Sequence, residues 1–269
     1  MGKPAIRTAL SGHLEGLYRR YNRRARAARD PVQFLYRYKG DEDRETAGLV
    51  AALLAYGALG QILDSVSDAL GRLGPRPSAF VREGTSARLD RAAAGFRHRF
   101  AGEAAFRALL GGMRGVLAGH GTLQRCFLAH DEPGAPTVLP GLTGLAHDIS
   151  RGRPALKHLV ANPALGSACK RWHLYLRWMV RRDRVDVGAW RGVSPARLVV
   201  PLDTHTWRLG RQMGFIQRKT CNLKAALEMT EALRRIRPDD PARYDFALMH
   251  ASVEGEPTLA AIIAAARSA

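Results

Sequence analysis

One lysine and one aspartate stand out for the strings that carry them. Lys170 follows Gly166-Ser167-Ala168-Cys169, and Asp203 lies 33 positions later within Pro201-Leu202-Asp203-Thr204-His205. Gly166 supplies the backbone freedom that a tight turn between helices requires. The amides that open the following helix can hold a phosphate without reading sequence. An amine delivered there can attack an electrophilic carbon and form a Schiff base. A carboxylate at the next helix start can stabilise positive charge developing on that carbon and relay a proton. The combination suits chemistry on a DNA sugar.

Plainer readings stand beside this one. A Gly-Ser-x-x-Lys string also describes an ordinary interhelix turn with a solvated lysine. Asp-Thr-His is a common N-cap, in which the carboxylate accepts backbone amide protons. Ser167 and Lys170 form a Ser-x-x-Lys pair, but neither Ser-Asp-Asn nor Lys-Thr-Gly accompanies it, which argues against penicillin-binding chemistry. Asp203 and His205 have too few further ligands around them to predict a metal site. An amine nucleophile must also be neutral, and an unperturbed lysine is neutral about once in 2,500 at pH 7. That chemistry therefore asks for burial and neighbouring positive charge such as Arg171; Asp203 pulls the other way.

The composition favours a polyanionic partner. Lys and Arg number 42 against 24 Asp and Glu, a net charge of +18, and the pI is near 10.9. Nucleic acid ranks ahead of an anionic membrane on that balance. Only six of the basic residues are lysines, so the arginine excess also fits an Arg- and Ala-rich coding bias. Cys126, Cys169 and Cys221 form no Cys-x-x-Cys, which argues against a disulfide scaffold or a cysteine-rich zinc site. No signal-peptide pattern or transmembrane-length apolar run is legible, so a cytoplasmic protein is expected.

Helical periodicity dominates the elements that must position the two residues. One amphipathic helix is predicted over residues 10–29, with Leu10, Leu14, Leu17, Tyr18 and Tyr21 on one face and arginines on the other. A second begins at Asp41-Glu42-Asp43, reaches about Gly57 and resumes at Gln61. Further helices are predicted at about 78–83, 103–118 and 122–130, then to Ile149. Later ones start near Lys170, Asp203, Asn222 and Pro241, with a last one after Pro257. Leu198-Val199-Val200 is the best strand signal, and it is short. These patterns predict an all-α protein.

The stretches Gly166 to Arg182 and Pro201 to Gly214, with Ala55-Tyr56-Gly57 and Gln61-Ile62, resemble the helix-hairpin-helix DNA glycosylase superfamily. Within it the chain is most similar to a bacterial group related to the archaeal 8-oxoguanine glycosylases, whose longer lysine-to-aspartate spacing it shares. Trp172 and His173 depart from that group in bulk. The resemblance implies two helical lobes with a cleft between them and a helix-hairpin-helix element that binds DNA. One lobe would comprise residues 1–60 and 186–269 and carry Asp203; the other, 61–185, would carry the hairpin.

It further implies a base-excision glycosylase and AP lyase that removes an oxidised purine, 8-oxoguanine foremost, with Lys170 as nucleophile and Asp203 as its partner. Gly166, Ser167, Arg171, His205 and Arg208 would contact the DNA backbone, with Arg177, Arg181 and Arg182 adding charge. A flipped purine needs stacking and edge hydrogen bonds, for which Gln61, Trp172, Arg177, Trp178, Phe246 and His250 are chemically able. The implied partner is double-stranded DNA with a damaged base, and a monomer at the nucleoid, away from membranes, would bind it. No metal or other cofactor is expected, since an iron–sulfur cluster needs four C-terminal cysteines and none follows Cys221. Two alternatives stay open: a monofunctional glycosylase for another base, and a non-catalytic nucleic-acid-binding protein.

Overall fold

The computed structural model, which describes residues 3–268, is built from α-helices, a few of which start on a side-chain cap. In chain order the helices are α1 (Lys3–Tyr21), α2 (Arg24–Ala27), α3 (Asp41–Leu53), α4 (Leu59–Leu73), α5 (Pro77–Glu83) and α6 (Ser86–Ala93). A two-residue hairpin pair, β1 (Arg97–His98) and β2 (Ala101–Gly102), precedes α7 (Glu103–His120), α8 (Leu123–His130) and α9 (Leu139–Ser150). Then come α10 (Lys170–Val180), α11 (Thr204–Gln212), α12 (Leu223–Ile236), α13 (Asp245–Glu254) and α14 (Thr258–Ser268). Thr85, Thr122 and Asn222 accept amide protons from Arg88, Arg125 and Ala225 at 3.2, 3.0 and 3.0 Å. Each bond satisfies one of the donors that a helix start leaves open. The protein is all-α apart from the small antiparallel pair.

Apolar packing forms two clusters. The larger runs from Ala27 to Leu198, with Ala242 and Phe246 added, and is built around α3, α7, α9 and α10. The smaller joins the inner face of α1 to α11, α12, α13 and α14. The cluster boundaries differ from the lobes expected from the sequence. Residues 27–55, grouped there with the chain ends, pack into the larger cluster. Residues 1–2 and 269 lie outside the described residues.

Three local expectations need correction. The helix expected over 10–29 breaks at Asn22, because Arg23 is extended (φ −134°, ψ 141°). Leu17 and Tyr21 thereby pack in the smaller cluster while Ala27 enters the larger one. Leu198–Val200 is no strand; it runs as irregular buried chain, its Val200 amide donating to Thr230 Oγ1 at 3.0 Å. Helix α13 begins at Asp245 rather than near Pro241, and α6 and the β1–β2 turn had not been foreseen. Among the described residues no helix is long and apolar enough to cross a membrane.

Candidate active site

The turn before α10 is built for an abrupt change of direction. Asn162 Oδ1 accepts the Ala164 amide proton at 2.9 Å and starts a single 3-10 turn, Pro163–Leu165. Gly166 follows in the left-handed region (φ +80°), and its carbonyl accepts from the Leu223 amide at 3.0 Å, tying the turn to the start of α12. Cys169 is also left-handed (φ +47°), which a residue with a Cβ adopts at a cost of about 1–3 kcal/mol. Its buried side chain sits in the larger cluster and holds it there. Helix α10 then starts at Lys170 without a side-chain cap, leaving first-turn amides open to an anion. What precedes the turn is 3-10 and irregular rather than α-helical, as Pro154 and Pro163 dictate.

Asp203 reaches the same place from the other cluster. It is the N-cap of α11, and its Oδ1 accepts from the Thr206 amide at 2.9 Å and the Thr206 hydroxyl at 2.7 Å. The second oxygen, Oδ2, meets Lys170 Nζ at 2.8 Å. Burial pushes this carboxyl up, but the charge and hydrogen bond of Lys170, together with the Thr206 donors, hold it at about 2. The carboxylate is therefore ionised across the whole physiological range. The side chains of Lys170 and Asp203 are 35% and 20% exposed, so solvent or a ligand can reach the pair without displacing core.

Two openings meet at this pair. One is an inner cavity of about 370 Å³ bounded by residues such as Asp30, Ile62, Leu174, Arg177, Met249 and His250. The other, about 490 Å³, lies on the hairpin side against Ser167, Ala168, Trp172, Thr204, His205 and Cys221. Ala55, Gly57, Lys170 and Asp203 line both, so the ion pair stands at the neck between them.

The inner wall is held by buried charge. Arg177 Nε donates to Asp186 at 3.2 Å and its Nη1 to Asp245, while Arg181 binds Asp186, Asp183 and Asp240. Burial works against the Arg177 charge, but Asp186, Asp245 and Asp30 outweigh it and raise its pKa. The remaining nitrogen, Arg177 Nη2, is buried with no hydrogen-bond partner among the described residues. His250 Nε2 lies 3.8 Å from Asp30, too far for a hydrogen bond, and its ring packs on Phe246 with centroids 4.3 Å apart.

The residues singled out from sequence divide sharply. Gly166, Ser167, His205 and Arg208 are exposed near the turn or on α11. Arg171 is spoken for: it donates to the carbonyls of Leu53 at 2.9 Å and His158 at 2.8 Å, with its guanidinium over the Tyr56 ring. It fastens α10 to the end of α3 and is no free phosphate ligand. Arg177 and Arg181 likewise add no surface charge, being 1% and 3% exposed within their ion pairs. Trp178 is fully buried in the core and lines neither opening, which removes it from the base-pocket candidates. Its helix is buried on every side from Trp172 to Val180, so no periodic pattern could single out a ligand face.

Trp172 lines the hairpin-side opening, with its indole N–H donating to Ala161 at 3.0 Å. Gln61 is exposed on α4 and lines neither opening; its neighbour Ile62 lines the cavity instead. Phe246 is buried behind His250, whereas Arg177 and His250 line the cavity.

Sequence reasoning passed over Asp30, Asp245 and Met249, and also the turn between β1 and β2. At that hairpin turn, Phe100 is 80% exposed and Arg99 has φ +50°. The turn is pinned to the cavity rim: Tyr56 Oη donates to the His98 carbonyl at 3.1 Å, and a Cβ on Gly57 would meet Arg99 Cδ at 2.8 Å.

An all-α protein with an amine–carboxylate pair at the neck of a cavity is the class that fold and site define. The chain belongs to the family described as Protein of unknown function (DUF2400), whose model matches residues 30–254. No curated protein and no solved structure matches it.

Proposed function

We propose that the protein is a DNA glycosylase with AP lyase activity, acting on oxidised purines and on 8-oxoguanine foremost, in the manner of the helix-hairpin-helix superfamily. The observation that carries the reading is the 2.8 Å contact between Lys170 Nζ and Asp203 Oδ2 at the neck of the inner cavity. Two residues 33 positions apart, on different helices, converge with the types and exposure that sugar chemistry needs. The net charge of +18 supports a polyanionic partner. The uncapped start of α10 offers amides to a phosphate. A cavity of about 370 Å³ suits a small aromatic ligand, and Arg177 Nη2 supplies an unused donor for the edge of a base. Phe100 and Leu165, 80% and 83% exposed, supply apolar groups of the kind that wedge between base pairs while one nucleotide is everted.

The chemistry balances with the pair as found. The Lys170 ammonium passes a proton to the departing purine as the C1′–N9 bond breaks and its electron pair leaves with the base. Asp203, held ionised, stabilises the cationic sugar. The amine, now neutral, adds to C1′, and proton transfer from that nitrogen to O4′ opens the ring to a Schiff base. A water molecule takes a C2′ proton, the C3′–O bond breaks and the 3′ phosphate leaves, and hydrolysis of the C1′–nitrogen double bond frees Lys170 as the amine. Borohydride trapping on an 8-oxoguanine duplex tests this. A covalent adduct is expected from the wild type and none from Lys170→Gln; no wild-type adduct, or an undiminished one from the variant, ends the bifunctional reading.

The same contact favours a second reading, because an ion-paired lysine is a weaker nucleophile. A monofunctional glycosylase would use Asp203 with water, and base release without strand cleavage would survive Lys170→Ala.

A further inference from the structure

Away from the Lys170 site, four metal-ligating side chains converge where α7, α8 and α9 meet. His120 closes α7, Cys126 and His130 lie on α8, and Asp148 lies on α9. One donor atom from each of the four lies within 4.8 Å of the others. Asp148 Oδ2 stands 2.8 Å from His130 Nε2, 3.6 Å from His120 Nε2 and 3.4 Å from Cys126 Sγ. Donors around a tetrahedral zinc ion, at metal distances of about 2.0–2.3 Å, are themselves roughly 3.3–3.6 Å apart. The three distances from Asp148 bracket that range, and both imidazoles are partly exposed.

We propose that His120, Cys126, His130 and Asp148 form a structural zinc site. Two imidazoles, a thiolate and a carboxylate are a borderline donor set that suits zinc rather than the oxygen-only sites of magnesium or calcium. Four protein ligands leave no open position, which marks a structural centre rather than a catalytic one. The approach of α8 to α9 is tailored to it: a Cβ at Gly144 would collide with the His130 side chain. An alanine there would force the imidazole away from Asp148. On binding, the Cys126 S–H bond breaks, its proton goes to solvent and the sulfur–metal bond forms, while both histidines bind as neutral imidazoles. The ion would tie together three helices of the larger apolar cluster, and no residue of the Lys170–Asp203 pair takes part.

Cobalt(II) titration of the tag-free, chelator-treated full chain tests the site with the metal itself as probe. One cobalt per chain is expected, with the visible absorption of four-coordinate geometry and a thiolate charge-transfer band, both abolished by equimolar zinc. Cys126→Ser should lose the charge-transfer band. His130→Ala, chosen because that residue is exposed, should weaken binding at least tenfold and cancel the rise in Tm that zinc gives the wild type. Failure of the wild type to bind one cobalt, absence of the charge-transfer band, or wild-type affinity in both His130→Ala and Asp148→Asn overturns the proposal. None of these readouts depends on action on DNA.

Discussion

Helix α10 carries two ion-paired cations, each facing aspartate, with opposite settings. At its first residue, Lys170 meets Asp203 with both side chains open to solvent in part, 35% and 20%. Two turns on, Arg177 meets Asp186 and Asp245 with side chains 1–5% exposed. Coulomb attraction is similar in kind; exposure decides what each pair is for. A buried pair cannot exchange its partner without stranding a charge in low dielectric, so it fixes the positions of α10, α13 and the 183–186 turn. A half-open pair can trade its partner for a ligand at modest cost. One helix thus holds a rigid cross-link and a reactive terminus within seven residues.

Substitutions can break that comparison. The largest effect is expected from Asp203→Asn, which keeps a capping oxygen but removes the charge: base release should fall about 100- to 1,000-fold. Single-turnover kinetics on an 8-oxoguanine duplex measure it, and an unchanged rate would remove Asp203 from the chemistry. Arg177→Met should destabilise the fold by about 3–5 kcal/mol, because Asp245 would stay buried without its counter-charge and Asp186 would keep only Arg181. Lys170→Gln should change stability by no more than about 1 kcal/mol. Urea unfolding of the two variants side by side tests the contrast, and equal losses would refute it.

The pH dependence sharpens the same point. The Asp203 carboxyl is depressed in the folded protein to about 2 from an ordinary value near 3.8. Its contribution is therefore fully present above pH 4 and is lost as pH falls from about 4 to 2. Asp203→Asn should remove that part of the acid transition, read as Tm against pH. The smallest effect is expected at the rim. Phe100→Ala should weaken binding to lesion DNA by about tenfold with Tm unchanged, since an 80% exposed ring contributes little to the core.

Legibility in the sequence followed the range of the interaction. The helix expected over 103–118 is Glu103–His120, the one over 122–130 is Leu123–His130, Asp203 is the N-cap its string suggests, and a helix starts at Asn222 as expected. Each is decided within one turn of chain. The break at Asn22 is different, because it exists so that Leu17 and Ala27 can join separate apolar clusters. The fate of the arginines was likewise hidden. Arg171, Arg177 and Arg181 read as charge added to the DNA-facing helix, yet their partners lie at Leu53, Asp245 and Asp240, contacts made across the fold. The His120, Cys126, His130 and Asp148 cluster escaped for the same reason: only Cys126 and His130 share a helix, at i and i+4, and the other two side chains come from α7 and α9.

By itself, the sequence determined an all-helical chain, strongly basic, with a glycine turn that opens a helix on Lys170 and a cap that opens another on Asp203. Those features rest on backbone freedom and i to i+3 hydrogen bonds, which neighbouring residues settle among themselves. Only the tertiary structure decided that the amine and the carboxylate meet at 2.8 Å, and at the neck of a cavity. That distance depends on how α10 seats against α3 and α11 against α13, and apolar side chains far from both charges set that packing.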